Sequence, residues 1–114
     1  MKNLPLIILL AIFSTLSFAK APNCYSWPMN MTKSWLKNAS ITDIYNLDES
    51  KTKITLLASE KKGKDLYTQI YHFIFYDKKG NTYEVVTKSN SSYEECSISD
   101  VNIYLIKKLY KLLK

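Results

Sequence analysis

The chain predicts an α+β fold: a short N-terminal helix packed on a four- to five-stranded antiparallel meander, closed by one disulfide. Three observations lead there. One early stretch has helical spacing, the fifty residues after it alternate with period two between short turns, and two cysteines stand far apart at positions 24 and 96.

The first residues are expected to lie outside that fold. Lys2 precedes an apolar run, Leu4 to Phe13, and a small-residue exit in which Ser17 and Ala19 satisfy the small-x-small rule. This is the layout of a cleavable signal peptide over residues 1–19, which leaves a single periplasmic or secreted domain over residues 20–114. About ten strongly apolar residues fall short of the roughly 20 that span a bilayer, so no transmembrane segment is expected. Lipid attachment at Cys24 is disfavoured by the Ala21-Pro22-Asn23 that precedes it.

Two prolines make Lys20 to Asn30 read as an irregular arm. Thr32 or Asn30 then caps a helix to about Asn38, with Met31, Trp35 and Leu36 on one side and Lys33 and Lys37 on the other. So short a helix needs a larger partner for Trp35. Ile41 to Leu47 is read as a strand or an extended connection. In Thr52 to Glu60, Ile54, Leu56 and Ala58 point inward, and Leu57 is the exception.

Asp65 to Asp77 is the strongest strand, with β-branched and aromatic residues on both faces. Thr82 to Ser89 follows. The chain's two glycines, Gly63 and Gly80, fall in the turns on either side of the Asp65–Asp77 strand, where positive φ is expected. Val101 to Ile106 reads as a last strand, passing into a short basic helix on the spacing of Ile106, Leu109, Tyr110 and Leu113; the rival is one helix from Asp100 onward.

In an oxidising compartment Cys24 and Cys96 are expected to pair, a staple useful to a small core. A reactive thiol or a metal site is disfavoured by one histidine and no second cysteine pair, and no cofactor is expected. The formal charge of +6 is carried entirely by lysine. Without arginine, which forks onto phosphates and guanine edges, specific nucleic-acid recognition is not expected. Diffuse positive charge favours an acidic partner, with weak contact to an anionic membrane surface as a lesser expectation.

No glycine-rich phosphate loop, zinc spacing or nucleophile elbow is present, and no catalytic residue is assigned. The single histidine, His72, sits in the strongest strand, where Glu84 of the next strand can face it. That is the constellation of some small secreted ribonucleases, and it keeps a hydrolase as the alternative. Nine tyrosines and two tryptophans exceed what one small core needs. Tyr67, Tyr71 and Phe73 on one face of that strand, with Lys107, Lys108 and Lys111, therefore form the candidate binding surface.

Cys24-Tyr25-x-Trp27-Pro28, Tyr93-Glu94-Glu95-Cys96-Ser97 and Val101-x-Ile103-Tyr104 together resemble a group of small exported proteins of Gram-negative bacteria with no characterised activity. The resemblance covers most of the chain after residue 20. It implies a periplasmic location and pairing of the two cysteines, and lends no catalytic residue. The function expected is that of a non-enzymatic binding protein, an inhibitor or immunity protein directed at an acidic toxin or hydrolase; the alternatives are a small secreted hydrolase such as a nuclease using His72 with a carboxylate, and an envelope protein that binds an anionic membrane surface.

Overall fold

The computed structural model describes residues 21–111; the expected leader, residues 1–19, and residues 112–114 lie outside them. One helix, α1 (Ser26–Asn38), precedes four strands: β1 (Lys53–Gly63), β2 (Leu66–Tyr76), β3 (Thr82–Ser91) and β4 (Asn102–Leu109). The strands form one antiparallel sheet in the order β1-β2-β3-β4. Cys24 and Cys96 are disulfide-bonded, with Cα atoms 5.3 Å apart.

The helix begins at Ser26, well before the expected start at residue 30 or 32. Pro28 does not break it. It occupies the third helical position, where a backbone N–H would have no intrahelical partner, so its missing donor costs nothing. Two ties hold this end in place: the disulfide, one residue before the cap at Tyr25, and the Trp27 indole, which donates to the Ser99 carbonyl at 3.2 Å. Pro28, Thr32 and Leu36 recur every four residues as the buried stripe. Lys33, expected on the solvent side, borders that stripe and is largely buried, with its ammonium paired to Glu49. Its aliphatic stem covers apolar surface while the charge reaches out to the carboxylate.

At the other end, Ile41 N–H donates to Leu36 O and Ser40 N–H to Lys37 O, the paired bonds of a Schellman motif. Ser40 takes the left-handed position at φ 58°, where glycine is the usual occupant. Ser40→Gly relieves that backbone and is expected to raise stability by about 0.5–1 kcal/mol in urea unfolding.

Residues 41–51 make two single 3-10 turns, Ile44–Asn46 and Glu49–Lys51, and one isolated bridge from Leu47 to Asp77. No fifth strand forms among the described residues, so the sheet has four strands rather than five. The cause is local: the Asp43 carboxylate accepts the Tyr45 N–H at 3.3 Å and turns the backbone away from a ladder.

Leu57, the misfit in the alternation of β1, is a bulge. Leu56 pairs with Tyr71 and Ala58 with Ile70, so Leu57 is the extra residue. Past it the faces exchange, and Ala58, expected inward, leaves the helix-covered face to Ser59. Of the two glycines only Gly80 has positive φ, at 89°; Gly63 ends β1.

The largest departure is at the C-terminal end. No helix forms over Ile106 to Lys111: β4 runs to Leu109, with Tyr83 paired to Lys108 and Thr82 to Leu109. Lys107 pairs with Glu84 and Leu105 with Val85, which leaves Ile106 as a bulge. One inserted residue breaks period two, and that break is what made the apolar spacing look helical.

The helix covers one face of the sheet. Tyr71, Phe73 and Phe75 of β2, Tyr83 and Val85 of β3, Leu36 of α1 and Leu47 make the core, and Trp35, Ile41, Leu56, Ile103 and Leu105 pack against it. Thr87 lies on this face with its hydroxyl fully buried and unpartnered. Thr87→Val replaces the hydroxyl by a methyl of similar size and should stabilise the protein by about 1 kcal/mol, read from a guanidinium midpoint. At the arm end the covered face is polar and satisfied. Gln69 donates to Pro22 O at 2.8 Å and to Ser59 Oγ at 3.2 Å, and accepts from Ser91 Oγ at 2.9 Å. Residues 21–25 are thereby strapped across β1, β2 and β3.

Candidate functional site

The other face of the sheet carries no helix among the described residues. Cross-strand register sets its rows: Lys53, Ile74, Glu84 and Lys107 in one, and Thr55, His72, Val86 and Tyr104 in the next. Glu84 and His72 are diagonal neighbours, and His72 Nε2 lies 3.1 Å from Glu84 Oε1 in a hydrogen bond that the carboxylate accepts. The sequence placed these two residues on facing strands, and here they meet at the centre of the open face. Their side chains are 25% and 28% exposed, which leaves the pair within reach of a ligand.

A carboxylate on one imidazole nitrogen orients the ring, and the other nitrogen can then exchange a proton with a bound molecule. The same contact rules out a second arrangement. Two groups that touch cannot stand on opposite sides of a scissile bond as separate acid and base. The surroundings are flat as well. One hollow of about 520 Å³ lies under the arm, bounded in part by Pro22, Tyr25, Ile54 and Tyr71, and a second of about 240 Å³ lies beside Ile41, Asp77, Asn81 and Tyr83. Neither includes His72 or Glu84.

The second hollow owes its wall to Asp77. Its Oδ1 accepts the backbone N–H groups of Lys79 and Asn81, and its Oδ2 accepts the Asn81 side-chain amide and the Tyr83 hydroxyl. Burial pushes this carboxyl up, but the bonds from Asn81, Tyr83 and Lys79 outweigh it and hold it below the usual carboxylate value. Every oxygen lone pair is used inside the protein, so Asp77 is an organiser of the turn and not a free ligand. Burial likewise raises the Tyr71 phenol, against a weaker opposing effect from the Cys24 N–H that it accepts at 3.2 Å.

Of the six residues proposed as a binding surface, Tyr71 and Phe73 must be withdrawn: they are 3% and 0% exposed, inside the core. A strand with two apolar faces does not reveal which one the helix will cover, and α1 covers theirs. Tyr67 is half-buried and meets Tyr93 edge-on, with ring centroids 5.6 Å apart. Lys107, Lys108 and Lys111 are exposed. They are joined by Tyr104, Ile106, Leu109 and Tyr110, each more than half exposed. Ile106, Leu109 and Tyr110 were missed because a helix would have turned them inward, and Tyr104, read in the strand before it, was not singled out. A period-two reading that allowed a bulge at Ile106 would have found them.

Tyr104 to Leu109 belong to β4, an outermost strand of the sheet, and Tyr110 and Lys111 follow directly after it. Lys107 is cross-strand from Glu84, so the basic edge and the His72–Glu84 pair are continuous. Lys108 Nζ sits 5.8 Å from the Tyr110 ring centre, and Lys111 donates its N–H to Asn81 Oδ1 at 2.7 Å. Among the described residues no cluster of three or more His, Cys, Asp or Glu residues is placed to hold a metal ion, and no helix is long and apolar enough to cross a membrane. No protein-family model matches the chain, and no curated protein or solved structure does.

Proposed function

We propose that this chain is a non-enzymatic binding protein, exported to the periplasm, that acts as an inhibitor or immunity protein against an acidic toxin or hydrolase. The observation that carries this reading is the concentration of exposed apolar side chains and lysines along β4 and the two residues after it. Tyr104, Ile106, Leu109 and Tyr110 offer contact area whose burial favours association, and Lys107, Lys108 and Lys111 select for negative charge. The disulfide suits an oxidising compartment.

The test is affinity capture from periplasmic extract at low salt, run beside the variant Lys107→Gln/Lys108→Gln/Lys111→Gln. The wild-type protein should retain an acidic protein, and the variant should hold it about tenfold more weakly, as expected for three surface charges worth a few tenths of a kcal/mol each. Equal retention by both would sink the reading.

The 3.1 Å His72–Glu84 contact favours a second reading, a small hydrolase in which Glu84 orients His72 as the proton-transfer group. His72→Ala separates the two. A binding protein keeps its partner in this variant, or binds it more weakly where His72 borders the interface, and cleaves nothing in either form, whereas a hydrolase loses turnover on RNA or another substrate that the wild-type protein cleaves.

A further inference from the structure

The backbone at the outer edge of β4 has no partner strand among the described residues, and although a bulge and two lysines guard its second half, large exposed apolar side chains accompany them. Edges are normally protected by shortness, proline, bulges or charge. The opposite edge strand, β1, has two bulges, at Leu57 and Lys62, and three lysines with a glutamate over residues 60–64. By contrast, β4 contains no proline, and its four regular residues Asn102–Leu105 precede the single bulge at Ile106. Beside this run, large apolar groups are left in water.

We propose that β4 accepts an extended acidic segment of a partner protein as a fifth, edge-added strand, a proposal that rests on the binding reading above. Main-chain hydrogen bonds to β4 would supply affinity, and alternate side chains of the incoming segment would meet the apolar and basic groups. Charge decides the occupant. From residue 102 to 111 every charged side chain is a lysine: 107, 108 and 111. A second copy laid antiparallel over the whole of β4 would set Lys107 opposite Tyr104 and Lys108 opposite Ile103, so it would offer the lysines no carboxylate. Lys107 and Lys108, across from Glu84 and Tyr83, project to opposite faces, so carboxylates alternating with apolar side chains complement whichever lysine shares their face and the exposed apolar groups beside it. The strand's eight residues span about 26 Å, so a segment of seven or eight residues covers it.

The probe is a seven-residue peptide alternating glutamate with valine, with two controls: lysine in place of glutamate, and the acidic sequence N-methylated at every residue. Titration of the full domain, disulfide intact, should give micromolar binding of the acidic peptide. Binding should be at least tenfold weaker for each control and for Lys107→Gln/Lys108→Gln/Lys111→Gln, and it should weaken with salt. Hydrogen exchange of β4 amides should slow at least tenfold on binding. Equal binding of the N-methylated peptide, or unchanged exchange in β4, overturns strand addition and leaves the acidic-partner reading to the capture experiment. Dimerisation of the protein alone through β4 overturns it in favour of a second copy, and retention on phosphatidylglycerol vesicles with no peptide binding overturns it in favour of a membrane surface.

Discussion

Replacing Cys24 and Cys96 together by alanine should destabilise the protein by about 4 kcal/mol, the loss expected for a cross-link that closes a loop of this length. The two cysteines are 72 positions apart, so the bond removes a large share of the freedom of the unfolded chain. It also pins residues 21–25 and the first turn of α1 to the segment between β3 and β4, where Ser92 accepts from Glu95 N–H at 2.9 Å. Domains of this size have only about 5–15 kcal/mol in total, so the variant should be marginal at 37 °C. Urea unfolding of the double variant, beside the wild-type protein with and without reductant, measures the effect. A drop below about 1 kcal/mol would mean that the arm is held almost entirely by Gln69 and Tyr71.

Asp77→Ala is expected to cost about 3 kcal/mol, because one buried carboxylate satisfies four donors and hydrogen bonds to a charged group are the strong ones. Tyr83 would be left with a buried hydroxyl, and the turn between β2 and β3 would lose its centre. The 3-10 segment would loosen with it, since Lys78 N–H donates to Asn46 O at 2.8 Å and Asp48 N–H to Tyr76 O at 2.7 Å beside the Leu47–Asp77 bridge. The charge makes part of this cost depend on pH. The folded-state value of Asp77 lies below its unfolded value near 4, so its stabilisation is complete above about pH 5 and is lost as pH falls through the folded value. Against Asp77→Asn, the wild-type advantage should therefore be constant near neutrality and shrink in acid. A pH-independent difference would show that the carboxylate acts by shape alone.

The two central strands were legible because both signals agreed there. In β2 a long run of aromatic and β-branched residues ends at a turn with Gly80, which separates it from the alternating residues of β3. The disulfide followed from compartment and cysteine number. What failed to show was anything set by a single residue out of phase. Pro28 reads as a breaker unless the chain before it is known to enter a helix, and Ile106 reads as the start of a helix unless the bulge is known. The candidate site divides the same way. His72 and Glu84 were placed together by alternation alone, whereas the fate of Tyr71 and Phe73 depended on which sheet face α1 chose, a tertiary decision with no local signature.

The strap made by Gln69 and the Tyr71 hydroxyl has a kinetic consequence. Each strand pairs with the one made just before it, so the sheet closes only short loops and its contacts are of low order. The arm is different: Pro22 and Cys24 bond to residues 47 positions later, a closure that must wait for β2 to exist. Docking of the arm is therefore a late step in folding. Release of the arm breaks its bonds to Gln69 and Tyr71 and leaves the meander paired, with the disulfide limiting how far it travels.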